Sequence, residues 1–261
     1  MKPSLVFIAV HLINSRFVQQ RIQRDHVFFS FMSQAKQTSE KVDYNGADNL
    51  AMMSHAVNYN GGLFNWVARD IRPGEAVLDF GAGNGEYANR FPLGSVDAAE
   101  IDPELLPLIK QPVYTDISQL TTKYDLIYTI NVLEHIEHHG EIVKELFTKL
   151  KPGGRIKVFV PARQEIFSNM DEHVGHYRRY DKKMVRQILE DAGMRVTDCR
   201  YYDFAGYFIS LLYKWMGKDG RITKESVVFY DRVIFPVSRL FDKLTVGQVI
   251  GKNVIAEAVK P

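Results

Sequence analysis

Cysteine is almost absent from this 261-residue chain, which contains only Cys199. One cysteine cannot form an internal disulfide, so packing and hydrogen bonds have to hold the fold, and the composition fits a reducing compartment. We expect Cys199 to be a small buried residue rather than a nucleophile. The chain is 46% hydrophobic and 25% charged, which indicates a globular protein with a substantial core.

An excess of one charge is lacking as well, because 33 Lys and Arg residues are balanced by 31 Asp and Glu residues. The sequence contains no basic stripe and no Asn-Pro-Pro-aromatic tetrapeptide, so we expect no nucleic-acid partner.

Long apolar runs are also missing. The run from Leu5 to Ile13 loosely resembles the apolar part of a signal peptide, but no small-residue cleavage site follows it. It is also shorter than the roughly 18 residues that a membrane-spanning helix needs. We therefore predict a soluble, cytoplasmic protein.

Three of the 18 glycines alternate within one stretch, Val77–Ala88. A short apolar run ending in an acid, followed by three alternating glycines, predicts a buried parallel strand, a tight turn and the start of a helix. Gly81, Gly83 and Gly85 can adopt positive φ and allow a ligand to approach the bare backbone. In open α/β sheets such a ligand binds at the carboxyl ends of the strands.

The spacing of these glycines argues against a dinucleotide. In the dinucleotide fingerprint G-x-G-x-x-G, the third glycine would stand where this chain has Glu86. Asp79, just before the turn, would repel a pyrophosphate but suits a ligand with an ammonium or sulfonium group. Both features disfavour a nicotinamide-dependent dehydrogenase.

Strand and helix patterns alternate after residue 74, which predicts a doubly wound α/β sheet. The predicted helices are 59–70, a helix that ends at Leu150, and 181–192, which lies between its N-cap Asp181 and Gly193. The predicted strands are 76–80, 95–100, 113–114, 124–130, 155–160, 195–201 and 253–259.

The glycine turn resembles motif I of the class I S-adenosylmethionine-dependent methyltransferases, in particular their small-molecule, type 11/12-like members. Two later segments are similar to the same family: Leu133–Ile136, which reads L-E-H-I, and the P-G-G sequence that begins at Pro152. The resemblance covers a little over half of the chain. It implies a Rossmann-like seven-stranded sheet and S-adenosylmethionine as the cofactor.

The resemblance also implies roles for individual residues. Glu100, 21 positions after Asp79, would hold the ribose hydroxyls, since a carboxylate can accept hydrogen bonds from a vicinal diol. Asp116 would accept from the adenine amino group, or else cap a helix or turn. Asn131 would border the methionine part of the cofactor. Tyr59 would contact the cofactor, or else pack in the core. The predicted cofactor-binding residues are Asp79, Gly81, Ala82, Gly83, Glu100, Ile101, Asp116, Ile117, Asn131 and Tyr59.

The sequence predicts that the chain is divided into four parts. We predict an N-terminal helical arm and linker at 1–58, a cofactor-binding core at 59–202, a helical insertion at 203–250 and the last strand within 251–261. The insertion is rich in aromatic residues. It would form a lid, a dimer face or a lipid-facing surface, or it would pack internally.

Methyl transfer to a hydroxyl or an amine is helped by a general base with a pKa near neutral, and histidine is the natural choice. We predict His176, in the loop 162–180 that overhangs the ligand crevice, as the first catalytic candidate and His135 as the second. The alternative for His176 is a solvent-exposed loop histidine without a role, and the alternative for His135 is a structural histidine bonded to backbone. The predicted substrate contacts are His173, Tyr177 and Arg178, although Arg178 and Arg179 could also form a solvated patch.

The run Glu134–His139 contains several side chains that could bind a metal, but it lacks the H-E-x-x-H spacing of zinc proteases. We predict no metal. The predicted function is methyl transfer from S-adenosylmethionine to a small molecule, with amphipathic and glycan-linked acceptors as candidates. The alternatives are a non-catalytic cofactor-binding scaffold and a quinone-type O-methyltransferase at a membrane surface. Peripheral membrane contact is a hypothesis that rests on the aromatic insertion.

Overall fold

A seven-stranded sheet is the centre of the computed structural model, which describes residues 46–215, 223–244 and 248–261. The chain divides into two units, Met1–Asp43 and Tyr44–Pro261, and the described residues all belong to the second. Residues 1–45 of the arm and linker predicted at 1–58 lie outside them. The strands are β1 (Val77–Phe80), β2 (Asp97–Ala99), β3 (Val113–Tyr114), β4 (Tyr124–Ile130), β5 (Leu150–Pro161), β6 (Arg195–Tyr202) and β7 (Asn253–Val259).

Helices cover both the core segments and the insertion. They are α1 (Gly46–Met53), α2 (Val57–Ala68), α3 (His139–Lys149), α4 (Asn169–His173), α5 (Lys182–Asp191), α6 (Phe204–Trp215), α7 (Lys224–Phe229) and α8 (Phe235–Lys243). A π-helical turn, Tyr230–Ile234, joins α7 to α8. None of the helices in the described part of the chain is long and apolar enough to cross a membrane.

The strand order is β3-β2-β1-β4-β5-β7-β6. Strands β1 to β5 are parallel, and β7 is antiparallel to both of its neighbours. The carboxyl ends of β1, β2, β3 and β4 therefore lie along one edge, and the order reverses between β1 and β4. Open α/β sheets bind their ligands at such a point. The predicted fold class is confirmed.

All seven predicted strands are present, and β3, β4 and β7 have the predicted bounds, whereas β5 begins at Leu150 instead of the predicted residue 155. Helix α5 begins as expected, because the Asp181 side chain accepts a hydrogen bond from the Met184 amide at 2.7 Å. It ends before Gly193, which has a φ of +91°. These elements were predictable because each contains its own hydrophobic period and caps.

The helix predicted after the glycine turn is wrong, since the structure has only a 3₁₀ turn there, Ala88–Arg90. Side chains from a later segment take up the backbone groups that a longer helix would pair. The Gln111 amide nitrogen lies 3.0 Å from the Ala88 carbonyl oxygen and 3.1 Å from that of Phe91. Pro92 also disfavours helical backbone at the residue before it.

The insertion is helical in its described part, and one face of it packs on the core. The Asp231 carboxylate accepts hydrogen bonds from the backbone amides of Asn58 and Tyr59, at 3.0 and 2.8 Å, and so caps the start of α2. Phe235 is fully buried. The internal-packing alternative therefore holds for this face. Other apolar residues of the insertion are exposed: Phe208, Leu211, Leu212, Tyr213, Trp215, Phe229, Val233, Val237, Leu240, Phe241 and Leu244.

Candidate cofactor and acceptor site

The glycine turn is held against two neighbouring strands. The amides of Gly81 and Ala82 both donate to the Ala99 carbonyl oxygen, at 2.9 and 3.0 Å, which ties the turn to β2. Gly81 has a φ of +77°, and a Cβ there would lie 2.2 Å from Val132 Cγ2. Only glycine fits between the turn and the segment after β4.

Gly83 also has a positive φ, +56°, but its surroundings are open. A Cβ there would meet only Leu50, no closer than 3.4 Å. The bare backbone at Gly83 is therefore the part of the turn that a ligand can approach most closely.

Glu100 follows β2 and lies beside this backbone. Its side chain accepts three backbone hydrogen bonds, from Gly83 at 2.7 Å, Ile101 at 2.8 Å and Asp102 at 2.9 Å. A carboxylate has about four lone-pair sites, so one remains free, on the Oε2 that Gly83 contacts. A first ligand hydroxyl can bind there directly, whereas a second would have to displace an amide.

Asp79, at the end of β1, is 2% exposed and accepts a hydrogen bond from the Tyr128 hydroxyl at 2.9 Å. Burial raises the pKa of Asp79 to about 7, although the bond from Tyr128 opposes that rise. A cationic group bound nearby would favour the ionised form. Two carboxyl groups beside the turn fit a ligand with a diol and a cationic centre and do not fit a pyrophosphate.

The third predicted acid, Asp116, follows β3 and caps a 3₁₀ turn. Its two oxygens accept from the Ser118 amide and the Ser118 hydroxyl, both at 2.7 Å. Capping therefore accounts for Asp116, and its contact with adenine stays a prediction. Among the predicted apolar neighbours, Ile101 is 45% exposed and open to a ligand, whereas Ala82 and Ile117 are buried.

Asn131 and Tyr59 lie in different surroundings. Asn131, at the end of β4, is exposed and has a φ of +54°, a strained conformation that occurs often at functional sites. Tyr59 is 7% exposed, its ring packs against Phe235 at 5.0 Å, and its hydroxyl accepts from Asn253 at 3.0 Å. Packing accounts for Tyr59 without a ligand.

His176 is not a free loop histidine. Its Nδ1 lies 2.7 Å from Asp171 Oδ1, and Asp171 is 1% exposed. Burial would raise the pKa of Asp171, but hydrogen bonds from His176 and Arg179 lower it to about 2. Because an ionised Asp171 can only accept, Nδ1 of His176 carries the proton, and in the neutral form of the ring the lone pair is then on Nε2.

His135 lies beside His176, with ring centroids 4.7 Å apart. Burial, and then the neighbouring His176, lowers the pKa of His135 to about 4, while hydrogen bonds to the backbone of Gly175 and Val174 oppose the shift. His135 is thus a neutral and weakly basic imidazole at pH 7, as in its backbone-bonded alternative.

The predicted substrate residues divide in the same way. His173 and Tyr177 are exposed. Arg178 is engaged by the protein, since it donates to the carbonyl oxygens of Ile136 at 2.6 Å and Glu137 at 2.9 Å. Arg179 is buried and bonds Asp171 at 2.8 Å, so the solvated-patch alternative is wrong for it.

Sequence reasoning missed Asp171 and the role of Tyr128. The order Ser168-x-x-Asp171 does predict a capping box at a helix start, and the Ser168 amide donates to Asp171 at 2.9 Å. That signal identifies a cap but says nothing of a histidine five residues later.

Known proteins support the resemblance. A family model described as a methyltransferase domain matches residues 40–198. The trans-aconitate 2-methyltransferase of Deinococcus radiodurans is 32% identical over 116 residues, which cover 38% of this chain and 45% of that protein. The chain spans less than half the length of the curated relatives it matches.

Solved structures agree on the fold. A SAM-dependent methyltransferase of Thermotoga maritima has a TM-score of 0.53 at 14% identity, covering 90% of this chain and 99% of its own. The phosphoethanolamine N-methyltransferase 2 of Haemonchus contortus, in a complex with S-adenosylhomocysteine, has a TM-score of 0.52 at 16% identity, covering 78% of this chain and 52% of its own.

Proposed function

The chain belongs to the class I S-adenosylmethionine-dependent methyltransferases, and on that premise we propose that it transfers a methyl group to a small-molecule acceptor. The observation that carries the proposal is Glu100, a carboxylate fixed by three backbone amides beside the open backbone of Gly83. It offers a preformed acceptor for a ribose hydroxyl at the sheet edge where ligands bind.

Each part of the cofactor has a matching group in this proposal. Glu100 would hold the nucleoside beside the bare backbone of Gly83, Ile101 offers exposed apolar surface for the base, and Asp79 offers a negative charge to the cationic end. Asn131 would border that end from β4. The bound cofactor supplies an electrophilic methyl group on a sulfonium.

On the acceptor side, a lone pair of an oxygen or nitrogen forms a bond to the methyl carbon while the carbon–sulfur pair stays on sulfur. The acceptor proton passes to a base. His176 is our candidate, because Asp171 fixes the tautomer of its neutral ring, in which Nε2 is the nitrogen that can accept a proton. The low pKa of His135 suits it to contact rather than to proton transfer. His173 and Tyr177 are exposed and could contact the acceptor.

Amphipathic acceptors are favoured by the exposed apolar residues of the insertion, such as Phe208 and Leu240. The same residues support peripheral membrane contact. Co-sedimentation of the protein with anionic and neutral vesicles would measure it, with Trp215→Ser and Leu240→Ser together as the test variant. Absence of sedimentation of the unsubstituted protein would end the membrane proposal.

The cofactor proposal is tested by calorimetric titration of the purified protein with S-adenosylhomocysteine and S-adenosylmethionine. We expect one site per chain for each. Absence of binding by both would overturn the proposal. Binding without methylation, across panels of phenols, amines and carboxylic acids with a labelled methyl donor, would favour the scaffold alternative.

A further inference from the structure

Glu134, His135 and His176 form a cluster that the proposed cofactor site does not use. Each side chain offers one ligand atom, and these three atoms lie within 4.8 Å of one another. Glu134 and His135 end a 3₁₀ turn after β4, whereas His176 comes from the loop after α4. We call these three residues the EHH cluster.

Glu134 is the incomplete member of the EHH cluster. It is fully buried, and no other described residue donates a hydrogen bond to either of its oxygens. The nearest imidazole nitrogen, Nε2 of His176, lies 3.9 Å from Oε1, too far for a hydrogen bond. A buried carboxyl group without partners is costly, so this position requires an explanation.

The protein holds both histidine rings by hydrogen bonds outside the cluster. Nδ1 of His176 donates to Asp171, and Arg179 holds Asp171 in turn by a hydrogen bond of 2.8 Å. The ring of His135 is hydrogen-bonded to the backbone of Gly175. Metal-binding histidines are held in the same way, with one ring nitrogen bonded to a carboxylate or carbonyl and the other on the metal.

We propose that the EHH cluster binds one divalent transition-metal cation, such as Zn²⁺, Mn²⁺ or Co²⁺. Two imidazoles and one carboxylate suit these ions, and three protein ligands leave coordination positions open. Metal–ligand distances of about 2.0–2.2 Å place ligand atoms about 3.0–3.5 Å apart. The 3.9 Å between His176 and Glu134, and the other separations within the 4.8 Å limit of the cluster, would therefore have to contract when a cation binds.

An open coordination position would hold an oxygen of the methyl acceptor. This role rests on the proposed function, whereas metal binding itself does not. One lone pair cannot bind a cation and a proton together, so a bound metal would replace the base role of His176.

The test is titration of tag-free, chelator-treated protein with Co²⁺, followed by visible absorption, and with Zn²⁺ by calorimetry. We expect one cation per chain, Co²⁺ bands in the visible region, and loss of those bands when Zn²⁺ is added. Glu134→Gln and His176→Gln should each weaken binding at least about tenfold. The matched control is His173→Gln, an exposed histidine outside the cluster, which should bind as the unsubstituted protein does.

Thermal unfolding shows whether a variant that loses metal binding is still folded. Metal-free Glu134→Gln should unfold at the same or a higher temperature than the metal-free parent, because it removes a buried carboxyl group without partners. Zn²⁺ should stabilise the parent and His173→Gln but not Glu134→Gln. No metal binding by the parent, or equal binding by Glu134→Gln, would overturn the metal site. A separate titration with S-adenosylhomocysteine distinguishes that failure from failure of the cofactor site.

Discussion

Two buried glutamates follow neighbouring parts of the same sheet edge, and the protein treats them in opposite ways. The Glu100 carboxylate accepts hydrogen bonds from three backbone amides, whereas the Glu134 carboxyl group accepts none from any other described residue. Glu100 is 9% exposed and Glu134 is fully buried. The glutamate with more access to water is therefore the better satisfied one.

This difference separates two kinds of site. Around Glu100 the protein alone completes most of the hydrogen bonds, so a ligand has only to add to a preformed arrangement. Around the Glu134 carboxyl group the described residues supply no hydrogen bond, and two imidazole rings lie beside it. A cation would complete it. Gly81 and Val132 connect the two regions, because the turn beside Glu100 packs on the segment that leads to Glu134.

The largest effect is expected where the two regions touch. Gly81→Ala should lower the free energy of unfolding by about 3 kcal/mol, since it adds a positive-φ penalty to a Cβ placed 2.2 Å from Val132. Gly94→Ala is the matched control: it has the same φ of +77° but no atom within 4 Å of the new Cβ. It should lose only about 1 kcal/mol. Urea unfolding measures both, and Val132→Ala should partly rescue Gly81→Ala.

The next effect concerns Glu100 itself. Glu100→Gln should weaken binding of S-adenosylhomocysteine about 30-fold, or about 2 kcal/mol, because it removes a charged hydrogen-bond acceptor. Glu104→Gln, an exposed neighbour on the same loop, should leave affinity unchanged. Calorimetry compares them, and equal affinities for both variants would remove Glu100 from the site.

A smaller effect concerns Asp79, which should make stability and cofactor affinity depend on pH. The pKa of Asp79 is about 7 in the folded protein and about 4 in the unfolded chain. Between these two pH values the folded protein keeps a proton on Asp79 that the unfolded chain has lost. Its contribution to stability therefore falls as pH rises through that window. A cationic ligand needs the ionised form, so cofactor affinity should drop about tenfold from pH 8 to pH 6. Asp79→Asn should bind weakly at both values. An unchanged affinity in the parent would contradict the role of Asp79.

The smallest effect concerns the donor to Asp79. Tyr128→Phe should cost about 1 kcal/mol of stability, because it removes a hydrogen bond. In the parent this bond lowers the pKa of Asp79, so its loss should move the pH midpoint of cofactor binding upward. Tyr124→Phe is the control on the same strand: its hydroxyl donates to Asp97 at 2.7 Å. That variant should lose similar stability without moving the midpoint. A shift in both variants would assign the effect to β4 as a whole.

Much of the fold could be predicted because its signals are local. Strand β4 is rich in β-branched, aromatic and other apolar residues, and Asp181 and Gly193 delimit α5. The turn at Ala88–Arg90 could not be predicted, since Gln111, 20 residues further along, takes the backbone groups that a helix needs. The sequence could not decide between cofactor contact and core packing for Tyr59, because its partners Phe235 and Asn253 are far away in sequence.

The sequence by itself determined the glycine turn, the acid near the end of β1, the acid that follows β2, and the doubly wound sheet. These depend on contacts between near neighbours and on rules of chain connection. Only the tertiary structure decided the EHH cluster. His176 reaches Glu134 and His135 because the loop after β5 folds back along the segment after β4, with the Tyr177 amide donating to the Glu134 carbonyl oxygen at 2.8 Å. Contacts between segments some 40 residues apart leave no local sequence pattern, so these three side chains come together only when the chain folds.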